Sequence, residues 1–152
     1  MRVLQKSLIG VIALILMLNI EVFAANTDEV KKAITKHSIA MGVDPAIMLS
    51  IAKAESGFRQ EARGGGGAVG VFQLMPSTAR KMGINPYNLE ENIKGGIVYY
   101  KNLYNMFGSM ELAVAAYNAG PGAIKSANYN IPHCSRGFVS KIMSDYKYYK
   151  NH

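Results

Sequence analysis

The segment "PAIMLSIAKAES", residues 45–56, is the stretch that decides the fold. Nearly every position is apolar or small, and Lys53 and Glu55 are its only charged residues. Asp44 and Pro45 are typical of a helix start, because aspartate accepts hydrogen bonds from free N–H groups and proline fits the first helical turn. A helix that is apolar nearly all round belongs in the middle of a core. We therefore predict a buried helix over about 45–56.

Glu55 lies at the C-terminal end of this predicted helix. It shares a face with Ile51 and Ala52, four and three residues earlier. A carboxylate held among apolar side chains has its ionised form disfavoured, which raises its pKa. A carboxylic acid that is protonated near neutral pH can donate a proton to a leaving group. The alternative, which position alone leaves open, is a carboxylate at a helix end that simply reaches solvent.

Helical periodicity continues through most of the remaining chain, and no alternating strand pattern runs for more than a few residues. The glycine-rich loop "GFRQEARGGGGAVG", 57–70, follows the buried helix. The other predicted helices are one ending at Gly42, a short one over 76–83, one around 93–107, one over 110–120, a short helix or turn after it, and a last one over 138–149. The sequence therefore predicts a mainly α fold in a single domain.

The first 24 residues are typical of a secretory signal peptide. Arg2 and Lys6 give a positive start, residues 8–18 form an apolar stretch, and "VFA" at 22–24 is a suitable cleavage site. The apolar stretch is short for a membrane-spanning helix, which needs about 20 such residues. We expect residues 1–24 to be removed, with a retained anchor as the alternative.

The remaining chain, 25–152, is basic. The full sequence carries a net charge of +7, and removing Arg2, Lys6 and Glu21 leaves +6. This balance favours anionic partners, and for an exported protein an anionic envelope polymer is a better candidate than nucleic acid. Plain solubility is the alternative. The single cysteine, Cys134, cannot form an internal disulfide, and the sequence shows no metal-ligand spacing, so we expect neither metal nor cofactor.

Two further motifs are ambiguous when taken alone. "GAVGVFQLMP", 67–76, indicates either a loop that packs into the core or a cleft wall where the Gln73 amide meets a polar ligand. "AYNAGPG", 116–122, indicates either a site motif or a helix that ends at Gly120 because a proline follows.

Taken together, four motifs resemble the lytic transglycosylase (SLT) domain, a family similar in fold to goose-type lysozyme. They are "ES" at 55–56, "GVFQLMP" at 70–76, "ENIKGGIVYY" at 91–100 and "AYNAGPG" at 116–122, in this order and spacing. The resemblance covers roughly residues 27–148. It implies a single lysozyme-like helical domain over 25–152 with a deep substrate cleft.

The resemblance also implies roles for individual residues. Glu55 is expected to be the single catalytic acid/base, while Asn92 and Gly96 are expected to be structural. The residues expected to bind substrate are Ser56, Gln73, Met75, Tyr117 and Asn118.

The chain departs from the family pattern at two places. Phe72 stands where the family commonly has methionine. Cys134 and Ser135 stand where it commonly has a Glu-Thr pair, so a substrate contact through that acid is not carried over.

The activity implied is cleavage of peptidoglycan between N-acetylmuramic acid and N-acetylglucosamine, leaving a 1,6-anhydro-muramic end. The predicted signal peptide places such an enzyme in the periplasm or cell envelope. It resembles small enzymes that open the wall for a secretion, pilus or conjugation apparatus, with spore or phage contexts as alternatives. Two alternatives stay open: a lysozyme-like muramidase that uses water, and a non-catalytic glycan-binding assembly module. An anhydro end is one water lighter than a hydrolysed one, and a binding module needs no buried acid.

Export makes a first testable prediction. We expect N-terminal sequencing of the protein from the cell envelope to read from Ala25 or Asn26, because the site at 22–24 follows the apolar stretch. An envelope fraction whose protein still begins at Met1 would point to the retained anchor instead.

Overall fold

The structure, a computed structural model, describes Met17 and residues 26–152. The predicted signal peptide therefore lies, apart from Met17, outside the described residues. From residue 26 onward the chain forms helices joined by short connections. They are α1 (26–40), α2 (Pro45–Ser56), α3 (Pro76–Met82), α4 (Leu89–Phe107), α5 (Met110–Ala119), α6 (Pro121–Ser126) and α7 (Arg136–Lys150), with 3-10 turns at Gly65–Gly67 and His133–Ser135.

The predicted mainly α fold is confirmed. Strand-like pairing in the described residues is confined to isolated bridges, in which Val69 pairs with both Arg63 and Leu74. The short helix predicted over 76–83 runs from Pro76 to Met82, and Gly83, the last residue of the predicted segment, caps it in the left-handed region at φ 67°. Within the same part of the chain, no helix combines the length and the apolar character needed to cross a bilayer.

Helix α2 is buried in the core as predicted. Its start is capped by Asp44, whose carboxylate accepts a hydrogen bond from the Ala46 N–H at 3.0 Å, and its end by Gly57 at φ 61°. Ile47, Met48 and Ile51 are inaccessible or nearly so. Burying each of these side chains stabilises the fold by about 1.5–3 kcal/mol. This helix therefore supplies much of the driving force for folding.

Helix α2 packs most extensively against α7. Lys53 leaves the core on this side and donates to Asp145 of α7, with 2.6 Å between Nζ and Oδ1. Lys150 bonds the α2 cap, with Nζ 2.7 Å from Asp44 Oδ2. The C-terminal helix is thus fastened to both ends of α2.

Helix α4 holds the long loop that follows α2. The Asn92 side chain is fully buried. Its Oδ1 accepts from the Phe72 N–H, and its Nδ2 donates to the carbonyls of Val69 and Pro86, each at 2.9 Å. A buried amide with its hydrogen bonds made fixes one geometry, because any other leaves polar groups unpaired. The structural role expected of Asn92 is confirmed.

Gly96 lies one turn further along α4 and allows the loop to pack directly on the helix. A Cβ at this position would overlap the side chain of Phe72, whose ring is itself fully buried. The structural role expected of Gly96 is therefore also confirmed, and its cause is the close approach of the aromatic ring.

We predict that Gly96→Ala lowers the free energy of unfolding by about 1–3 kcal/mol, the usual cost of overpacking a core. Urea denaturation measures this. Gly137→Ala is the matched control, because Gly137 lies in α7 with nothing within 4 Å of its Cβ position. We expect it to be neutral or to stabilise by up to about 1 kcal/mol. Equal effects of the two substitutions would show that the Phe72 contact is not what excludes a side chain.

Candidate active site

An open cavity of about 250 Å³ lies at the C-terminal end of α2. Its walls come from the loop after α2, from α3 and α4, and from the end of α5. It brings together five of the six residues predicted from sequence. They are Glu55, Gln73, Met75, Tyr117 and Asn118.

Glu55 is the next-to-last residue of α2, and its side chain lines the cavity. Burial raises the pKa of Glu55 to about 7. Nothing in the described chain counteracts this effect, because no side chain or backbone N–H there donates a hydrogen bond to the carboxylate or forms an ion pair with it. Near neutral pH the residue is therefore present in both its protonated and its ionised form, as a proton donor and acceptor must be.

Tyr117 lies beside Glu55 on α5. Its hydroxyl donates to the Phe72 carbonyl at 2.9 Å. Burial, together with the neighbouring Glu55 carboxylate, raises the pKa of Tyr117 well above its ordinary value, so the phenol stays protonated. Because its proton is held by Phe72, the hydroxyl can offer a ligand only its oxygen lone pairs.

Gln73 also lines the cavity, but its amide protons serve the loop. Nε2 donates to the carbonyls of Ala62 at 3.2 Å and Gly70 at 2.9 Å. The backbone of Gln73 has φ 46°, a conformation that is uncommon for residues other than glycine. The side-chain donors that we expected to meet a ligand are thus engaged, and the acceptor Oε1 is what remains.

The glycine run at 64–67 packs directly on two of the predicted site residues. A Cβ on Gly64 would overlap Oε1 of Gln73, and a Cβ on Gly66 would lie 2.9 Å from Cε of Met75. Gly66 also has φ 65°, which favours glycine. The run is therefore what lets the loop close against the cavity wall.

The structure does not bring Ser56 to the cavity. The side chain is buried, and its hydroxyl donates to the Val71 carbonyl at 2.8 Å and accepts from the Arg59 N–H at 3.1 Å. Ser56 ties the end of α2 to the loop. Its expected contact with substrate has no support in this geometry, because Ser56 does not line the cavity and its hydroxyl is engaged by backbone groups.

Asn118 is oriented by a residue that the sequence analysis left without a role. Ser135, fully buried, donates its hydroxyl to Oδ1 of Asn118 at 2.9 Å. The amide nitrogen of Asn118 makes no hydrogen bond to the described chain. Ser135 stands at the second position of the pair that is commonly Glu-Thr in the resembled family, and it orients the Asn118 amide.

Sequence reasoning missed Tyr99. Its half-buried ring lines the cavity and meets the ring of Tyr117 edge-on, with 5.1 Å between centroids, and burial raises the pKa of its phenol. The neighbouring Tyr100 is buried in the core instead. The spacing in the sequence could have identified Tyr99, because Asn92, Gly96 and Tyr99 follow one another at four and three residues and share one helix face.

Glu55 is the only acidic residue among the described residues that line the cavity. Two other carboxyls are held ionised elsewhere. Burial acts to raise the pKa of Asp44, but hydrogen bonds from Lys150, the Ala46 N–H and Tyr146 outweigh it and lower the pKa. A hydrogen bond from Lys94, helped by His37, lowers the pKa of Glu90. The arrangement at the cavity is a single acid of raised pKa beside two tyrosines, open to a polar ligand.

Comparison with known proteins finds a family that matches this chain. The profile described as "Transglycosylase SLT domain" matches residues 32–133. The chain is 32% identical over 109 residues to a protein named "Transglycosylase" from Enterobacteria phage PRD1, covering 71% of this chain and 39% of that one. It is 28% identical over 143 residues to the "Soluble lytic murein transglycosylase" of Salmonella typhimurium, covering 77% of this chain and 22% of that one.

Solved structures show the same fold. An inactive mutant of the lytic transglycosylase Slt from Pseudomonas aeruginosa aligns with a TM-score of 0.68 at 27% identity, covering 79% of this chain and 24% of that one. The 70 kDa soluble lytic transglycosylase from Escherichia coli aligns with a TM-score of 0.70 at 25% identity and the same coverages. The chain thus spans well under half the length of these relatives.

The raised pKa of the partly buried Glu55 predicts a pH-dependent stability. Between about pH 4.5, the ordinary pKa, and pH 7, the folded chain holds a proton on Glu55 that the unfolded chain has lost, so stability falls as pH rises through this window. Glu55→Gln cannot ionise. Relative to the wild-type protein, it should gain up to about 3 kcal/mol of stability between pH 4 and pH 8. Urea denaturation at both pH values measures the difference. Glu61→Gln, at an exposed position outside the cavity, should run parallel to the wild type, and a Glu55→Gln curve that is also parallel would contradict the burial of the charge.

Proposed function

The chain belongs to the transglycosylase SLT domain family, and from this premise we propose that it is a peptidoglycan lytic transglycosylase with Glu55 as its acid/base. It cleaves the β-1,4 bond between N-acetylmuramic acid and N-acetylglucosamine. The observation that carries the proposal is the setting of Glu55, a partly buried acid with a pKa of about 7 at the wall of an open cavity.

The reaction needs one proton carrier used twice. Protonated Glu55 gives its proton to the glycosidic oxygen as the bond from that oxygen to C1 of the muramic acid breaks. The carboxylate left behind takes the proton from the C6 hydroxyl of the same sugar, whose oxygen forms the new bond to C1. Glu55 returns to its starting state, no water is consumed, and the product carries a 1,6-anhydro ring. A pKa near 7 suits both halves of this cycle.

The absence of a second acid supports this route over the common two-carboxylate one. Glycosidases of that kind hold their carboxyls about 5–9.5 Å apart across the scissile bond. Glu55 has no acidic companion among the described residues of the cavity wall. An intramolecular nucleophile removes the need for one.

The other residues of the cavity hold the sugar. We propose that the phenol oxygen of Tyr117 accepts a hydrogen bond near the reacting ring and that the free amide nitrogen of Asn118 donates to an acetamido or hydroxyl oxygen. Gln73 offers its carbonyl, and Met75 and the ring of Tyr99 give apolar contact. Ser56 is left out of this set because of its buried partners.

We propose that the chain acts outside the cytoplasm, where its substrate lies. The signal-like residues 1–24 and the net charge of +6 that remains after their removal support this, since the lactyl and peptide carboxylates of the wall are anionic. The use of the cut by a secretion, pilus or conjugation apparatus stays a prediction that rests on the family resemblance.

We expect Glu55→Gln to fold and to lower turnover of purified sacculi by at least ~10²-fold, because glutamine cannot donate and recover the proton. Mass spectrometry of the muropeptides released by wild-type protein should show anhydro ends. Ends heavier by one water would indicate a muramidase, and a wild-type protein that releases nothing would leave a glycan-binding module.

The controls are carboxyls outside the cavity. Asp44→Asn and Glu61→Gln should each keep most of the activity, with the stability loss of Asp44→Asn followed separately by urea denaturation. If Glu61→Gln is as inactive as Glu55→Gln, two carboxylates act and the single-acid mechanism is wrong.

A further inference from the structure

A second groove lies between the start of α5, the turn that follows α6 and the start of α7. It opens over about 570 Å³. Its lining includes Leu112, Tyr129, Asn130 and Arg136. None of these residues has a part in the chemistry at Glu55.

Tyr129 lies in this groove with a backbone conformation that is unfavourable for an aromatic residue. Its side chain is 59% exposed, and its φ is 60°, directly after Asn128 at φ 50°. The turn is closed by a hydrogen bond from the Tyr129 N–H to the Ile124 carbonyl at 2.9 Å. Left-handed backbone is ordinary for an asparagine at a helix end but costly for an aromatic residue. The ring is braced by Phe107, edge-on with 6.1 Å between centroids. A rigid, exposed aromatic face results.

Arg136 supplies a cation to the same groove. It is exposed and makes no ion pair or hydrogen bond in the described chain, whereas Lys53, Lys94 and Lys150 are each paired with an acid. It is also the first residue of α7, where the helix dipole disfavours a positive charge. An anionic group bound there would be doubly stabilised.

The remaining polar groups of the groove are partly engaged. The acid of the lining, Glu111, accepts a hydrogen bond from the Ser109 hydroxyl at 3.0 Å. Asn130 donates through Nδ2 to the carbonyls of Ala127 and Asn128, which leaves its Oδ1 to accept. Besides the Glu111 carboxylate, whose second oxygen has no partner in the described chain, the groups open to a ligand are an aromatic face, a guanidinium and one carbonyl acceptor.

These three groups match a sugar that carries a carboxylate. The C–H face of a pyranose is apolar and packs on the electron-rich face of an aromatic ring. A guanidinium binds a carboxylate through two parallel hydrogen bonds. An amide carbonyl accepts from a sugar hydroxyl or an acetamido N–H.

The groove and the cavity lie along one helix. Asn118 at the cavity and Leu112 at the groove are six residues apart on α5, a rise of about 9 Å. Ser135, which bonds Asn118, directly precedes Arg136. We propose that the groove is a second binding site for the peptidoglycan strand, in which Tyr129 stacks on a sugar ring and Arg136 binds a lactyl or peptide carboxylate. This inference rests on the proposed substrate but not on the mechanism at Glu55.

Binding to purified sacculi tests the proposal in a Glu55→Gln background, so that the polymer stays intact. Tyr129→Gly and Arg136→Gln should each weaken the apparent affinity in a sedimentation assay by about three- to tenfold. Glycine suits φ 60°, so Tyr129→Gly removes the ring without straining the turn. Thermal melts of each variant check the fold.

Matched controls are Tyr148→Ala, an aromatic side chain with 55% exposure on α7, and Lys147→Gln, an exposed cation beside it. Both should bind within twofold of the Glu55→Gln parent. Affinity unchanged in both groove variants, a loss of equal size in the controls, or a parent that does not bind sacculi would overturn the second site. A wild-type protein that binds sacculi but releases no muropeptide would instead overturn the proposed activity, and the binding comparison would still decide on the groove.

Discussion

The structure depends on burying α2 along nearly its whole length while leaving its last turn at a cavity. The apolar residues of this helix supply the core, and caps at Asp44 and Gly57 satisfy its ends. Helix α7 is tied across it through Lys53–Asp145 and Lys150–Asp44. Because the helix cannot shift without losing this packing, the carboxyl of Glu55 is held at one position. A proton donor needs that fixed position as much as it needs a raised pKa.

Helix α4 positions the wall of the cavity, as α2 positions Glu55. One of its faces carries three residues with three different tasks. Asn92 bonds the loop backbone, Gly96 makes room for Phe72, and Tyr99 faces the cavity. The Phe72 carbonyl, fixed by these contacts, then receives the hydroxyl of Tyr117 from α5. The packing at Phe72, its backbone hydrogen bonds and the cavity are thus one connected set of interactions. A substitution at Gly96 should therefore also shift Tyr117.

The electrostatics of the site depend on the lack of ion-pair and hydrogen-bond partners for Glu55 in the described chain. Four lysine–carboxylate ion pairs occur among the described residues, and His37 lies 2.8 Å from Glu90; none of these contacts reaches Glu55. Desolvation therefore acts on that carboxyl unopposed, whereas Asp44, also partly buried, is kept ionised by three hydrogen bonds. The difference between the structural carboxyl of Asp44 and the proposed acid/base Glu55 is the presence or absence of hydrogen-bond donors nearby.

The sequence by itself determined the helices and the family. The run at 45–56, the cap at Asp44 and the spacing within 93–107 are local patterns, and local propensity and burial act on them in the same direction. The motifs around Glu55, Gln73 and Tyr117 indicated residues that do share one cavity. Only the tertiary structure decided which partner each polar atom bonds. Ser56 follows Glu55 in the chain, yet its hydroxyl bonds the Val71 carbonyl and the Arg59 N–H, while the donors of Gln73 are used by the loop and Tyr99 lines the cavity. Some of these partners are near in the chain, but the Val71 carbonyl lies 15 residues from Ser56 and the Ala62 carbonyl 11 residues from Gln73. No local pattern encodes such distant partners, because the packing of elements that are far apart in sequence brings them together.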